Sequence, residues 1–266
     1  MRQQHTICDF SSSDSWVVLS PIEQSIKRKI EAVGTPLKDW DIHIYRGVLT
    51  GCNEAFIINT SKRNEILSNC KDADERQRTE ELIRPILRGR DIKRYGYEWA
   101  GLWLINTHNG IKGKIERIHI EDYPAIKAHL NQYWGKIEHR ADQGDTPYNL
   151  RNCVYLEDFN KPKLFYADIT QHLNFCLCRD VMYCNNTTYF ITTDNERELR
   201  HLQKYLNSPL IDWYYKTLSV QLGEKAVRMF SIYVLEIPIP PIGEDNIYEA
   251  YHLNATEIAF IEGKEA

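Results

Sequence analysis

The chain has 266 residues, of which 42% are hydrophobic and 26% are charged, and its formal net charge is −4. This length and composition allow a sizeable buried core and exclude global disorder, and the absence of any run of about 18 apolar residues argues against a membrane span. The acidic balance argues against a nucleic-acid partner held by overall charge, although positive charge can still be concentrated on one face.

The first half of the chain alternates between helical and strand patterns. Residues 1–15 are polar and predict a flexible lead-in. A helix is predicted over residues 21–33, because Ile22, Ile26, Ile30 and Val33 recur on one face and Ser20 occupies the N-cap position. Strands are predicted at 41–45, 55–58 and 102–105, and helices over 62–83 and 123–140.

The second half returns to short strands and then to helices. The strand patterns lie at 163–169, 174–178, 188–192 and 233–237, and the helical patterns at 196–207 and 210–217. Strands and helices do not alternate as regular βαβ units. The sequence therefore predicts the α+β class.

Several catalytic motifs are absent from the sequence. It contains no G-x-G-x-x-G, no P-loop, no G-x-S-x-G elbow and no H-E-x-x-H helix. Pro240-Pro241 lacks the preceding asparagine of an amino-methyltransferase motif. We therefore expect this chain to carry no catalytic residue and no cofactor of its own.

The first candidate site is the loop at residues 46–53, which follows a predicted strand. Its Arg46, Thr50 and Asn53 could contact phosphate or base edges, and glycines there let a ligand approach the backbone. The alternative is a tight hairpin that needs positive φ at Gly47 or Gly51.

The second candidate is the most basic window of the chain, at residues 84–95. Five cations and an aromatic residue could position a duplex: Arg84, Arg88, Arg90, Lys93, Arg94 and Tyr95. The alternative is a solvated face, or internal pairing of Arg90 with Asp91 and nearby acids.

Further candidates are scattered through the second half. Polar and basic side chains at predicted turns could read bases or touch phosphate: Asn149, Arg151, Lys163, Gln171, Lys225 and Arg228. For Asn149 the alternative is a local cap, and for Lys225 and Arg228 it is a solvated loop.

A zinc site is the least supported of the candidates. His172, Cys176, Cys178 and Cys184 could be ligands, but no C-x-x-C pair accompanies them. The pattern favours buried thiols, and the sequence predicts no metal. The seven cysteines and the absence of an apolar leader predict a cytoplasmic location.

Six blocks of sequence carry a family resemblance. They are WDIHIYRGVLTGCNEAFII (40–58), IRPILRGRDIKRYGYEWAGLWLI (83–105), TPYNLRNCVYLEDFNKPKLFYADI (146–169), TTYFIT (187–192), YLNSPLIDWYYK (205–216) and YVLEIPIPPI (233–242). In this order they resemble the TaqI-like C-terminal specificity domain of type IIG restriction–modification enzymes and N6-adenine DNA methyltransferases.

The resemblance implies a fold and a function. The fold is a mixed, largely antiparallel, curved sheet with flanking helices, of the target-recognition type, over residues 16–242, with a tail or the start of a helix over 243–266. The function is sequence-specific recognition of double-stranded DNA. Methyltransferase and nuclease domains, with S-adenosylmethionine and Mg, would belong to other parts of the same bacterial phage-defence enzyme.

Three alternatives remain open at this point. The chain could be a stand-alone specificity subunit, or a protein-interaction module of a methyltransferase complex. The alternative with least support is an enzyme with an unfamiliar metal-dependent nuclease site.

Overall fold

A computed structural model describes residues 19–219, 221–222, 226–243 and 245–264. Eleven α-helices lie in that part of the chain: α1 (Pro21–Val33), α2 (Asn53–Phe56), α3 (Thr60–Ser68), α4 (Ala73–Leu82), α5 (Pro124–Asn131), α6 (Trp134–Ile137), α7 (Glu196–Leu206), α8 (Pro209–Leu218), α9 (Ser231–Val234), α10 (Ile247–Ala250) and α11 (Ala255–Ile261). None of these helices is both long and apolar enough to cross a membrane.

The strands are short. They are β1 (Thr35–Pro36), β2 (His43–Arg46), β3 (Ile57–Asn59), β4 (Ile83–Leu87), β5 (Ile92–Lys93), β6 (Gly96–Tyr97), β7 (Leu102–Ile105), β8 (Lys163–Ala167), β9 (Ile169–Thr170), β10 (Phe175–Cys178), β11 (Tyr183–Cys184), β12 (Thr188–Thr192), β13 (Gln221–Leu222), β14 (Ala226–Arg228) and β15 (Pro238–Ile239).

Three sheets have three or four strands each, and β1-β15 and β5-β6 form two-stranded sheets. A central sheet has the order β10-β8-β12-β2 and is antiparallel throughout. A second sheet has the order β11-β4-β7-β3, in which β11 and β4 are parallel and the other pairs are antiparallel. An edge sheet has the order β13-β14-β9. The predicted α+β class with largely antiparallel pairing is confirmed.

The central sheet separates two hydrophobic cores, which is why its strands are buried on both faces. Phe165 and Phe190 face the core that contains the second sheet and α5. Their chain neighbours Leu164 and Ile191 face the core that contains α1, α7 and α8. Successive side chains of a strand point to opposite faces, so one apolar run serves both cores.

The predicted helix at 21–33 is confirmed as α1. Glu23 accepts a hydrogen bond from the Ser20 backbone nitrogen at 2.8 Å, and Ile26 and Ile30 are fully buried. The strands at 102–105 and 188–192 are confirmed with the same bounds. These patterns are strongly periodic or rich in β-branched and aromatic residues, so local preference and tertiary packing agree.

Three predicted elements are wrong in part and one is wrong throughout. Residues 55–56 end the helix α2, so that strand starts only at Ile57. The predicted strand at 233–237 contains no strand residue, because residues 233–234 belong to α9 and β15 begins at Pro238. The helical stretches at 62–83 and 123–140 are each interrupted, after Ser68 and after Asn131. Short apolar runs fit a strand and a buried helix equally well, which explains the first two errors.

The described part of the chain includes most of the C-terminal region but not the first 18 residues. The predicted lead-in at 1–15 lies outside the described residues. Near the C-terminus α10 and α11 pack back on the protein: Tyr251 is buried, and Glu257 forms an ion pair with Lys29 of α1 at 2.6 Å.

Three histidines that are wholly or partly buried predict that stability falls in mild acid. Burial lowers the pKa values of His108, His129 and His201 below the ordinary 6.5. The unfolded chain therefore takes up protons before the folded chain does, and stability that is complete above pH 6.5 is lost as the pH falls below it. The expected slope is up to about 1.4 kcal/mol per pH unit for each histidine.

Urea denaturation between about pH 7.5 and pH 5 measures this slope. His129→Gln should reduce it, whereas the same substitution at the exposed His139 serves as the control. A free energy of unfolding that is flat over this range contradicts the prediction.

Candidate functional site

A cleft of about 780 Å³ lies where the second sheet meets the edge sheet. One wall comes from the start of α2 and from the turn after β4, with Asn53, Arg88 and Arg90. The other wall comes from β9 and the residues beside it, including Thr170 and Asn174, and the turn between β11 and β12 adds Asn185 and Thr187. Three predicted site residues from two separate stretches of sequence therefore line one cleft.

The turn after β4 is held by an ion pair between Arg88 and Asp91. The Asp91 carboxylate accepts hydrogen bonds from the Arg88 backbone nitrogen at 2.8 Å, from its Nε at 3.0 Å and from its Nη2 at 2.7 Å. Asp91 is buried, and its hydrogen bonds raise the pKa of Arg88. The predicted internal pairing with Asp91 therefore occurs, but the partner of Asp91 is Arg88 and not Arg90.

Arg90 differs from Arg88 although it stands two residues away. It is exposed on the wall of the cleft, and its guanidinium makes no hydrogen bond or ion pair within the described part of the chain. A guanidinium offers five N–H donors in a planar fork, so this side chain is available to a partner.

The turn at residues 185–187 supports this wall and was missed by the sequence analysis. Thr187 Oγ1 accepts a hydrogen bond from the Gly89 backbone nitrogen at 2.9 Å, and it donates to Asn185 Oδ1 at 2.7 Å. A Cβ at Gly89 would stand 2.6 Å from the Thr187 carbonyl oxygen, so only glycine allows this approach. The signal available in sequence was the polar run Asn185-Asn186-Thr187 between two apolar strands.

The loop at residues 46–53 is not the predicted hairpin, because β2 pairs with β12 whereas the next strand, β3, pairs with β7 in the second sheet. The positive φ predicted for a glycine there is found at Gly51, with φ +65°, whereas Gly47 has no positive φ and is limited by space instead. Thr50 is buried and donates to Asn53 Oδ1 at 2.6 Å. Thr50 therefore orients Asn53, which remains exposed at the cleft.

Three predicted contact residues are corrected because they are buried: Thr50, Asn149 and Lys163. Asn149 accepts from Thr146 Oγ1 at 2.6 Å, as in the alternative of a local cap. The Lys163 ammonium donates to the carbonyl oxygens of Lys161 and Asp180, and burial lowers the pKa of Lys163. Buried side chains have no surface to offer a duplex, so these three are dropped from the candidates.

Two arginines of the prediction lie together in a groove of about 380 Å³, separate from the cleft. Arg46 Nε donates to the Asn186 carbonyl oxygen at 3.1 Å, and Arg151 pairs with Asp142 at 3.3 Å. Arg84 lines a third cavity, of about 220 Å³, beside His108 and Tyr183.

The other basic residues of the 84–95 window face different environments. Arg94 donates to the Asn207 carbonyl oxygen, and Lys93 stands 3.5 Å from Glu98. Tyr95 is 55% exposed and has φ 67°. The window is therefore one stretch of sequence but not one surface.

The opposite edge of the cleft carries two more predicted residues. Gln171 is exposed and directly follows β9. Arg228 of β14 pairs across the edge sheet with Ile169, and its Nη1 stands 3.8 Å from Asp168 Oδ2. Lys225 lies outside the described residues.

Metal-ligand geometry is absent from the described part of the chain. No three or more His, Cys, Asp or Glu side chains gather there as a metal site would require. Cys176, Cys178 and Cys184 are buried thiols, and burial raises their pKa values. His172 instead pairs with Asp212 at 3.0 Å.

Comparison with known families and proteins places the chain among specificity domains. A family model described as the TaqI-like C-terminal specificity domain matches residues 84–239. Two curated relatives are 22% identical over 233 residues: the type II methyltransferases M.XhoI of Xanthomonas vasicola and M.PaeR7I of Pseudomonas aeruginosa. The alignments cover 86% of this chain but only 40% and 38% of those proteins, so the chain spans about two fifths of their length.

Two solved structures share the fold. The type IIG restriction endonuclease BpuSI matches 91% of this chain and 27% of its own, with a TM-score of 0.56 and 14% identity. The type IIL restriction–modification enzyme MmeI, solved in complex with DNA, matches 86% of this chain and 28% of its own, with a TM-score of 0.55 and 13% identity. At these identities the likeness concerns the fold alone.

Proposed function

The chain belongs to the TaqI-like C-terminal specificity domain family, and on that premise we propose that it recognises a specific sequence of double-stranded DNA for a restriction–modification enzyme. The observation that carries this proposal is the cleft. It is lined by the available guanidinium of Arg90 and by the amide of Asn53, and both kinds of group form the pairs of hydrogen bonds by which proteins read purines in the major groove.

The distribution of charge supports the proposal despite the acidic net charge. Arg90 lies in the cleft, Arg228 lies at its edge, and Arg46 and Arg151 line the neighbouring groove. Phosphate contacts need only a local positive surface, because the field that acts on DNA falls off within about 10 Å at ordinary salt.

We further propose that catalysis resides outside this chain. The curated relatives are methyltransferases more than twice as long as the aligned region, which leaves room for catalytic domains in the same enzyme. S-adenosylmethionine and Mg would bind in those methyltransferase and nuclease domains. The DNA would lie between them and this cleft, in the bacterial cytoplasm.

Duplex binding in a gel-shift assay tests the proposal. The double variant Arg88→Ala/Arg90→Ala is expected to lower affinity for duplex DNA at least about tenfold, because it removes the available guanidinium of the cleft and the residue that holds its turn. The control is Arg197→Ala/Lys71→Ala, which removes two exposed cations that do not line the cleft. Equal affinities of the two double variants would count against the cleft as the DNA site.

A further inference from the structure

We propose that Arg90 is a specificity-determining residue that reads a guanine in the recognised sequence, and that Arg88 is a positioning residue that makes no base contact. This inference rests on the proposed function and deepens it. It assigns two arginines that are indistinguishable in sequence to two different roles.

Availability distinguishes Arg90 from Arg88 in the cleft. Within the 84–95 window, Arg88 is engaged by Asp91, and Arg94 is engaged by the Asn207 carbonyl oxygen. Lys93 is near both the Arg90 carbonyl oxygen and Glu98. Arg90 alone among the arginines that line the cleft has no partner within the described residues. A side chain that recognises a base needs a guanidinium without an existing partner, because breaking an ion pair would offset the free energy gained from the new hydrogen bonds to the base.

The backbone on both sides of Arg90 is held by hydrogen bonds. The Gly89 nitrogen is bound to Thr187 Oγ1, and the Asp91 nitrogen donates to the Arg88 carbonyl oxygen at 2.9 Å. The Asp91 carbonyl oxygen accepts from the Glu98 nitrogen at 2.8 Å. Both neighbours of Arg90 are thus fixed before DNA arrives. A base-contacting side chain on a fixed turn loses less conformational freedom on binding, and it discriminates better between bases.

The charge of the cleft favours a base edge over a phosphate. Asp168 lines the cleft and its Oδ1 has no hydrogen-bond partner in the described part of the chain, whereas the Glu54 carboxylate, which also lines the cleft, is paired with Lys136 at 2.7 Å. A phosphate would be repelled by the Asp168 carboxylate. A guanine edge presents two neutral acceptors, O6 and N7, that match the guanidinium fork.

Selection from a random duplex library at low salt tests the inference with the full chain. The wild-type protein is expected to select a consensus that contains at least one guanine. Arg90→Ala should reduce the preference for one such guanine about fivefold to a hundredfold and leave the other positions unchanged. Arg90→Lys keeps the charge but not the fork, so it should lose most of the same preference.

Two further variants separate reading from positioning. Arg228→Ala is the matched control for a contact with the backbone of DNA, and it should weaken all sequences alike with an unchanged consensus. Arg88→Ala should reduce the preference for the same guanine as Arg90→Ala does. The double variant should reduce that preference no further than Arg90→Ala alone, because Arg88 acts through Arg90. Thermal unfolding checks that each variant is folded.

Two outcomes overturn the inference in distinguishable ways. If Arg90→Ala weakens all duplexes alike and keeps the wild-type consensus, Arg90 is a phosphate contact and the proposed function survives. If the wild-type chain binds every duplex equally, the proposed function itself fails and the assignment of Arg90 fails with it.

Discussion

Replacing Gly47 with alanine is expected to lower the free energy of unfolding by about 3 kcal/mol, because the new methyl group has no space. Its Cβ would stand 2.1 Å from the Asn185 carbonyl oxygen and 2.5 Å from that of Cys184. Both obstructing atoms belong to the backbone, so they cannot rotate aside as the end of a long side chain could. The strand β2 or the turn at 185–187 must move.

The consequences of that movement reach the cleft. The Gly47 nitrogen donates to the Thr188 carbonyl oxygen at 2.8 Å, and the Val48 nitrogen donates to that of Cys184 at 2.7 Å. Displacing this turn weakens both bonds and shifts Thr187, which holds Gly89 beside Arg90. We therefore expect Gly47→Ala to lose duplex affinity as well as stability.

Urea denaturation and a gel-shift assay measure the two effects. Gly96→Ala is the matched control, because a Cβ there meets nothing within 4 Å, and it should change the free energy of unfolding by less than about 0.5 kcal/mol. Wild-type stability for Gly47→Ala would mean that the close approach of β2 to the 185–187 turn is not required.

Asp91→Ala is expected to cost about 3 kcal/mol of the free energy of unfolding, because it leaves a half-buried guanidinium without its partner. Three hydrogen bonds to Arg88 are lost at once, one from the backbone and two from the side chain. The Asp91 side chain is 5% exposed, so water cannot replace it without a local opening of the turn.

A second ion pair beside the same turn provides the control. Glu98 stands 3.5 Å from Lys93 with both side chains largely exposed, so Glu98→Ala should cost less than about 1 kcal/mol. Asp91→Ala should also reduce the preference for the guanine that Arg90 recognises, whereas Glu98→Ala should leave that preference unchanged. Equal stabilities of the two variants would contradict the role given to Asp91.

How far the sequence predicts this fold depends on the element. Helix α1 is predictable because a capping residue, a proline and a four-and-three spacing of isoleucines all agree. Strand β12 is predictable because five residues in a row favour a pleated, buried environment. Residues 55–56 and 233–234 are not, since short apolar segments adopt whichever conformation the neighbouring elements allow.

The candidate site shows the same division. Arg88, Arg90 and Asn53 are identifiable from residue type and local charge, but their sequence does not say that they share a cleft. Thr50, Asn149 and Lys163 have equally suitable chemistry and are buried. Asn185 and Thr187 were overlooked although they hold the turn that carries Arg90.

The amino-acid sequence by itself determined the α+β class, the positions of the strongly periodic elements and the family, because these depend on short-range patterns and on ordered blocks of residues. Only the tertiary structure decided which polar side chains face solvent and which arginine is available. The physical reason is that burial and pairing are set by contacts between distant segments. The hydrogen bond from Gly89 to Thr187 spans 98 positions, and the obstruction at Gly47 comes from Asn185.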